Sequence, residues 1–391
     1  MFRGMFPQAP VLWVDSGEFS GDNSAAGKFQ TETLLEGMSR LGYTAANVTE
    51  RELSVGIEQF QTLAAKAEFP LLSGNIVWQA DGKPVFAPAT IKTLAPGSWR
   101  GDAPLRVGIL GLCKGNAGFL MRTSDDRKVV IQSPVKTAAR LVPPLRQQSD
   151  LVILLTNLTA PEVDTLLAAV PGVDLVLAGD GELVSDNMAS PPRASVMYAG
   201  NQGKRLGEVR VFFNHQGLSQ VIKNHPFLDS RFPLDPVLKT FEDEANVKIN
   251  DFYREAAATE TSVVPGQVLP QSLFFGAAEC KSCHEAAYSV WEKSGHAHAM
   301  QSLIDVGQEF NPLCVACHVT GNRRANGFRN IKLTPDFANV QCEACHDAAG
   351  GHMEDPSKPY GKLDENRCVS CHTKDNSPEF VFPSYWERIR H

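Results

Sequence analysis

A chain of 391 residues with 43% hydrophobic content exceeds the usual size of one domain and can bury at least one substantial core, so two domains are expected. Its formal charge of −7 argues against a nucleic-acid-binding surface, which ordinarily leaves a basic footprint, and points instead to small cationic or protein partners. No apolar run has the length needed to span a bilayer, and the chain does not open with a basic segment followed by an apolar stretch.

From residue 11 to about residue 213, short apolar runs alternate with helical segments. Residues 11–14, 106–112, 151–156 and 173–178 read as buried strands, being short, rich in Val, Ile and Leu, and bounded by Gly, Asp or Asn. Residues 27–41 read as a helix with Leu34, Leu35, Met38 and Leu41 on one face, and 161–169 as a helix with Pro161 near its start. This alternation predicts an α/β domain over residues 1–235. A helix follows, with Leu238, Phe241, Ala245, Ile249 and Phe252 stepping by three and four. Residues 261–272, with Pro265, Gly266 and Pro270, break that helix and read as a linker, so 236–272 is expected to join two domains. Residues 273–391 are poor in aliphatic side chains and need another source of core.

Eight of the nine cysteines fall in this last region, and they repeat one pattern. Cys280 and Cys283 precede His284, Cys314 and Cys317 precede His318, Cys342 and Cys345 precede His346, and Cys368 and Cys371 precede His372. On a helical turn, residues i, i+3 and i+4 share a face. Two thiols can then reach the vinyl groups of one porphyrin while the imidazole meets its iron, which is the signature of covalent haem c. Zinc also binds paired Cys-x-x-Cys motifs, and disulfides staple small secreted domains, but neither needs a His after every second Cys. Four covalent haems, with His284, His318, His346 and His372 as proximal ligands, are expected to supply the missing core. Haem c is attached outside the cytoplasm. A periplasmic or extracellular location is therefore expected, with Met1 following a removed leader or an upstream start.

Six of the ten histidines remain: His215, His225, His296, His298, His352 and His391. Each must be weighed between surface or core residue and second axial ligand, because bis-His iron shuttles electrons whereas open iron binds small molecules. Cys113, after an apolar strand, reads as a buried inert thiol, and Met300 as packing.

The haem region resembles the tetrahaem cytochrome c-554 family. The segments WEKSGHAHAMQSL (291–303) and QCEACHDAAGGH (341–352) carry that resemblance, which implies that His296 and His352 are distal ligands. By that pattern His352 pairs with His284 and His296 with His346. The tail SPEFVFPSYWERIRH (377–391) resembles related multihaem proteins in which an aromatic C-terminal helix presents a ligand, implying that His391 caps the haem of His372. The resemblance leaves the His318 iron five-coordinate, a candidate open site. His298 is the remaining distal candidate; on a helix it projects nearly opposite to His296, and its surface reading is preferred.

The segments VLWVDSGEFSG, YTAANVTEREL, VGILGL, LVILLTNL, VDLVLAGDGE and VMYAGNQGKRLGEVRV run in an order similar to 5'-nucleotidase-like metallophosphoesterases, which implies a four-layer α/β sandwich. That family binds two metals through Asp, Asn and His at strand ends. Here Glu18 stands at the place of the bridging Asp, Thr49-Glu50-Arg51-Glu52 replaces Gly-Asn-His-Glu, Asn157 replaces a His, and Asp180-Gly181-Glu182 replaces the last His-containing loop. A catalytically inactive scaffold without a second metal site is expected, with Asp15, Glu18, Glu50, Asp180 and Glu182 as a solvated polar rim. The expected function is electron transfer between a redox protein donor and acceptor. Two alternatives stand beside it: an oxidoreductase acting on a small nitrogen compound at the His318 haem, and a subunit of a homo-oligomeric cytochrome assembly or filament.

Overall fold

The computed structural model describes residues 9–95, 103–116, 118–179, 194–199, 205–214, 217–226, 228, 232–260, 270–358, 360–361, 363–373, 376–377 and 379–391. The chain divides into two compact units, 1–235 and 236–391.

The first unit is an α/β sandwich. Its elements are β1 (Val14–Asp15), α1 (Ala25–Arg40), β2 (Ala45–Asn47), α2 (Ile57–Ala64), β3 (Leu71–Leu72), β4 (Ile76–Trp78), β5 (Ala89–Leu94), β6 (Leu105–Leu112), β7 (Leu120–Arg122), β8 (Lys128–Ile131), α3 (Pro134–Gln148), β9 (Leu151–Thr156), α4 (Ala160–Ala169), β10 (Leu175–Ala178), β11 (Ser195–Tyr198), β12 (Glu208–Asn214) and β13 (Gly217–Asn224). The main sheet has the order β11-β10-β9-β6-β5, parallel except for β5 at its edge. A parallel sheet β1-β2-β3, an antiparallel sheet β4-β8-β7 and the hairpin β12-β13 complete the described strands.

All six residues of β9 are buried, as are all of β6 but Arg106, because a central parallel strand is covered on both faces. That is why both read as continuous apolar runs. β1, by contrast, is shorter than the expected 11–14 strand, beginning only at Val14 and ending one residue later, at Asp15. Helix α1 also departs from expectation: it buries Ala26, Gly27, Thr31, Leu35 and Met38, while Leu34 and Leu41 are exposed. Small residues, not leucines, bring the start of this helix close to its neighbour. Gly27 leaves no room for a Cβ against Asp22. Helix α4 begins at a capping box, the Glu162 carboxylate accepting from the Thr159 N–H (2.9 Å) and hydroxyl (2.7 Å).

The second unit is mainly helical. It opens with α5 (Pro236–Ala257), which buries Ala245, Ile249 and Asn250, with Leu238, Phe241 and Phe252 half-buried on the expected face. This helix is tied within its unit: Asn250 Oδ1 accepts from the Phe310 N–H at 2.8 Å, and Gln308 Nε2 donates to the Asn246 carbonyl at 3.0 Å. The expected linker residues Pro265 and Gly266 lie outside the described residues. Beyond it come only short helices around a small apolar cluster of Met300, Leu303, Val315, Val319, Phe328 and Ala338. No described helix is long and apolar enough to cross a membrane.

Candidate functional sites

In the first unit the polar groups singled out by sequence gather where parallel strands end, the place at which α/β sheets ordinarily hold ligands. Asp15 ends β1, Glu50 and Glu52 follow β2, Cys113 follows β6 and Asn157 follows β9. The chain turns after β1 through Gly17 at φ +99°, where a Cβ would stand 2.6 Å from Thr49 Cγ2, and then through Glu18 at φ +68°, a left-handed conformation rare for a side-chain-bearing residue.

These groups largely satisfy one another. Asn157 Nδ2 donates to Glu18 Oε1 at 2.8 Å, and Asn157 Oδ1 accepts from the Lys114 N–H at 2.7 Å. Glu50 accepts from Asn116 Nδ2 at 3.2 Å. Glu52 is fully buried and accepts from the Thr49 N–H and hydroxyl and from the Ser20 N–H. Burial raises its pKa despite those bonds. Burial, opposed by the Gly17 N–H, likewise pushes Asp15 up to about 6. Cys113 is buried, its backbone clamped on both sides by the Asn75 amide, and burial pushes its thiol up to about 12, which keeps it an unreactive thiol. Among the described residues, no three His, Cys, Asp or Glu side chains converge to hold a metal ion. Asp180, Glu182 and His215 lie outside the described residues, and His225 Nε2 lies 3.0 Å from the Tyr198 carbonyl.

In the second unit the Cys-x-x-Cys-His segments form helical turns. The His284 and His372 N–H groups donate to the carbonyls of Cys280 and Cys368 at 2.9 Å, four residues back; His318 closes a tighter turn onto Val315 at 2.9 Å. Cysteines of different motifs are neighbours. The Cys280 thiol is raised first by its hydrogen bond to Cys342, whose own thiol that bond lowers. Cys317 is pushed up to about 11 by burial and then by Cys371, and Cys345 to about 11 by burial and then by Cys368. Cys280 thus lies beside Cys342, Cys345 beside Cys368 and Cys317 beside Cys371.

The imidazoles face one another in three pairs. Ring centroids of His284 and His352 lie 6.1 Å apart, those of His296 and His372 6.0 Å, and those of His346 and His391 5.9 Å. The first pair joins the residues expected together. The other two exchange partners: His296 faces His372 rather than His346, and His391 faces His346 rather than His372. The His296 carbonyl accepts from the Val340 N–H at 3.1 Å, and Trp291 Nε1 donates to the Val340 carbonyl at 2.8 Å, so the turn bearing His296 is tied just ahead of Cys342.

Nδ1 atoms are held by the chain. That of His318 lies 2.7 Å from the Ala299 carbonyl, that of His346 2.9 Å from Gly361 O, that of His372 2.8 Å from Ser377 Oγ, that of His391 3.1 Å from Ile389 O and that of His352 3.3 Å from Lys358 O. Such bonds fix the tautomer and direct Nε2 outward as a donor to a metal. Burial lowers the pKa of His296 and His372, favouring the neutral, ligating ring. Among the described residues no imidazole ring is in contact with that of His318. His298 is exposed, and Met300 is buried in the apolar cluster, as packing requires.

Haem fits this donor set. Iron–imidazole bonds are about 2 Å and a ring nitrogen lies about 1 Å from its ring centre, so two rings on opposite sides of one iron have centroids about 6 Å apart. The porphyrin supplies the other four donors, so two facing side chains suffice where zinc would need four.

Sequence reasoning missed Glu343, the residue between Cys342 and Ala344. It is buried, and its carboxylate accepts from the N–H groups of Phe275 (2.8 Å), Gly276 (2.7 Å) and Ala349 (2.9 Å), fastening the approach to the first motif onto the third. Gln341 assists, accepting from the Ala277 N–H at 2.6 Å. Nothing in the spacing of the motifs signals either role.

The two units are thus a phosphoesterase-like α/β sandwich, without that fold's metal cluster among its described residues, and a cytochrome-like domain. Residues 279–347 match the family model described as cytochrome c554 and c-prime. Cytochrome c-554 of Nitrosomonas europaea is 28% identical over 152 residues, covering 30% of this chain and 65% of that protein. A 2',3'-cyclic-nucleotide 2'-phosphodiesterase/3'-nucleotidase of Yersinia enterocolitica is 26% identical over 212 residues, covering 48% of this chain but only 32% of that protein. Among solved structures, the calcineurin-like phosphoesterase YfkN of Bacillus subtilis superposes with a TM-score of 0.52 at 16% identity, over 65% of this chain and 88% of that one, a likeness of fold. The chain therefore spans about a third of the phosphodiesterase and just under two thirds of the cytochrome.

Proposed function

We propose that this protein is an exported tetrahaem c-type cytochrome that passes electrons between a redox protein donor and acceptor in the periplasm or outside the cell. Residues 273–391 would carry the haems, 1–235 a phosphoesterase-like scaffold for docking or assembly, and 236–272 the connection. The observation that carries this reading is the set of three imidazole pairs with centroids 5.9 to 6.1 Å apart, beside four Cys-x-x-Cys-His turns.

The cysteines of each motif would hold haem through thioethers, and His284 with His352, His372 with His296 and His346 with His391 would hold iron from both sides. Haem supplies one-electron chemistry at iron without a protein acid or base. The chain's part is to fix the rings: carbonyls and Ser377 hold Nδ1, and Glu343 binds the first motif to the third. The test is haem content and low-temperature spin resonance of the matured full chain. Four haems with three low-spin centres are expected; fewer than three low-spin centres overturns the reading.

One observation favours a second reading. His318 is held at Nδ1 by the Ala299 carbonyl, with no described imidazole opposite. An open iron there would bind nitric oxide or hydroxylamine. Perturbation of a single high-spin signal by nitric oxide supports this; a fourth low-spin signal overturns it.

A further inference from the structure

The short segment between the third and fourth motifs contains a ring and a glycine that the electron-transfer reading does not by itself require. Tyr360 stacks on His352 with centroids 5.1 Å apart and planes 12° apart, and on His346 at 5.6 Å and 25°. Those two imidazoles belong to different pairs, His352 facing His284 and His346 facing His391. The phenol is anchored, its hydroxyl donating to the Asp347 carbonyl. The adjoining residue completes the contact. Gly361 presents its carbonyl to His346 Nδ1 at 2.9 Å, and a Cβ at 361 would collide with the backbone carbonyl of His346. Lys358, on the other side, turns its carbonyl toward His352 Nδ1 at 3.3 Å. Tyr360 therefore touches the faces of both rings, while Gly361 and Lys358 meet their second nitrogens.

We propose that Tyr360 and Gly361 form a shared clamp that sets the orientation of axial imidazoles at two different haems, the first through His352 and the third through His346. Tyr360 is a positioning residue: it touches ligands, not iron. Ring orientation and the partner of the second nitrogen both tune a ligated metal, so releasing one phenol ring should alter two centres together. The inference rests on the axial assignment above.

The experiment uses the matured full chain and low-temperature spin resonance, with haem counted in every sample. His352→Ala and His391→Ala first mark the low-spin signals of the first and third haems by abolishing each in turn. Tyr360→Leu is then expected to displace both marked signals and leave that of the His296–His372 pair in place, while Tyr360→Phe, which keeps the ring, restores them. Tyr360→Met, which keeps volume without a planar face, replaces Tyr360→Leu if the latter matures with fewer than four haems, with the same two displacements expected. Displacement of neither signal, of one alone, or of all three equally overturns the clamp while leaving the axial reading intact. A wild-type spectrum without three low-spin signals overturns the axial reading itself, and the clamp with it.

Discussion

The strand-end cluster of the first unit and the imidazole pairs of the second both gather groups that bind metals elsewhere, yet they use their lone pairs differently. In the first unit, Glu18 is taken by Asn157, Glu50 by Asn116, and Glu52 by Thr49 and Ser20. In the second, the chain holds Nδ1 of five imidazoles, and four of them, His346, His352, His372 and His391, have another imidazole ring opposite. Groups spent on one another are architecture; rings held at one nitrogen, with a second ring opposite, are placed to share a ligand.

The largest effect that would sharpen this comparison is expected at Glu343. Replacement by Ala leaves three inward N–H groups without their acceptor, at a cost of about 3 kcal/mol or more. Denaturant unfolding and haem counting should show the second unit destabilised and incompletely loaded, with Glu343→Gln milder. An unchanged midpoint in Glu343→Ala would remove Glu343 from the architecture described here.

Next in size is the pairing of His391. His391→Ala should convert one low-spin haem to high spin in the otherwise native protein. It should add nothing once Cys342→Ala and Cys345→Ala have removed the third haem. If it still adds a high-spin signal there, His391 serves the fourth haem instead.

A smaller effect concerns Asp15. Its folded pKa of about 6 stands above the ordinary 3.8, so between about pH 4 and 6 the folded state keeps a proton that the unfolded chain has lost. Stability should fall as pH rises through that window and level off above it. Asp15→Asn should remove this slope and stabilise the first unit near neutral pH by about 1–2 kcal/mol, because the residue keeps some contact with solvent. A slope of the same size in the variant would assign it to another group, with Glu52 the first to examine.

The smallest expected effect is none. Manganese added to the full chain should neither raise the thermal midpoint of the first unit nor elicit phosphodiester hydrolysis. Metal-dependent hydrolysis would show that the strand-end cluster opens to a metal after all.

What the sequence determined by itself is local. Two thiols and an imidazole at i, i+3 and i+4 can only share one face of a helical turn, so the four attachment motifs are legible without a fold. Continuous apolar runs, as in β6 and β9, announce strands covered on both faces. The burial of Glu343 was not legible, since it depends on Phe275 and Gly276, a segment distant in the chain, and no motif marks the stacking of Tyr360. The clearest case is the partner of each distal histidine. His296 faces His372, many residues on, while its carbonyl is tied to Val340, and no spacing along the chain records which ring lies opposite.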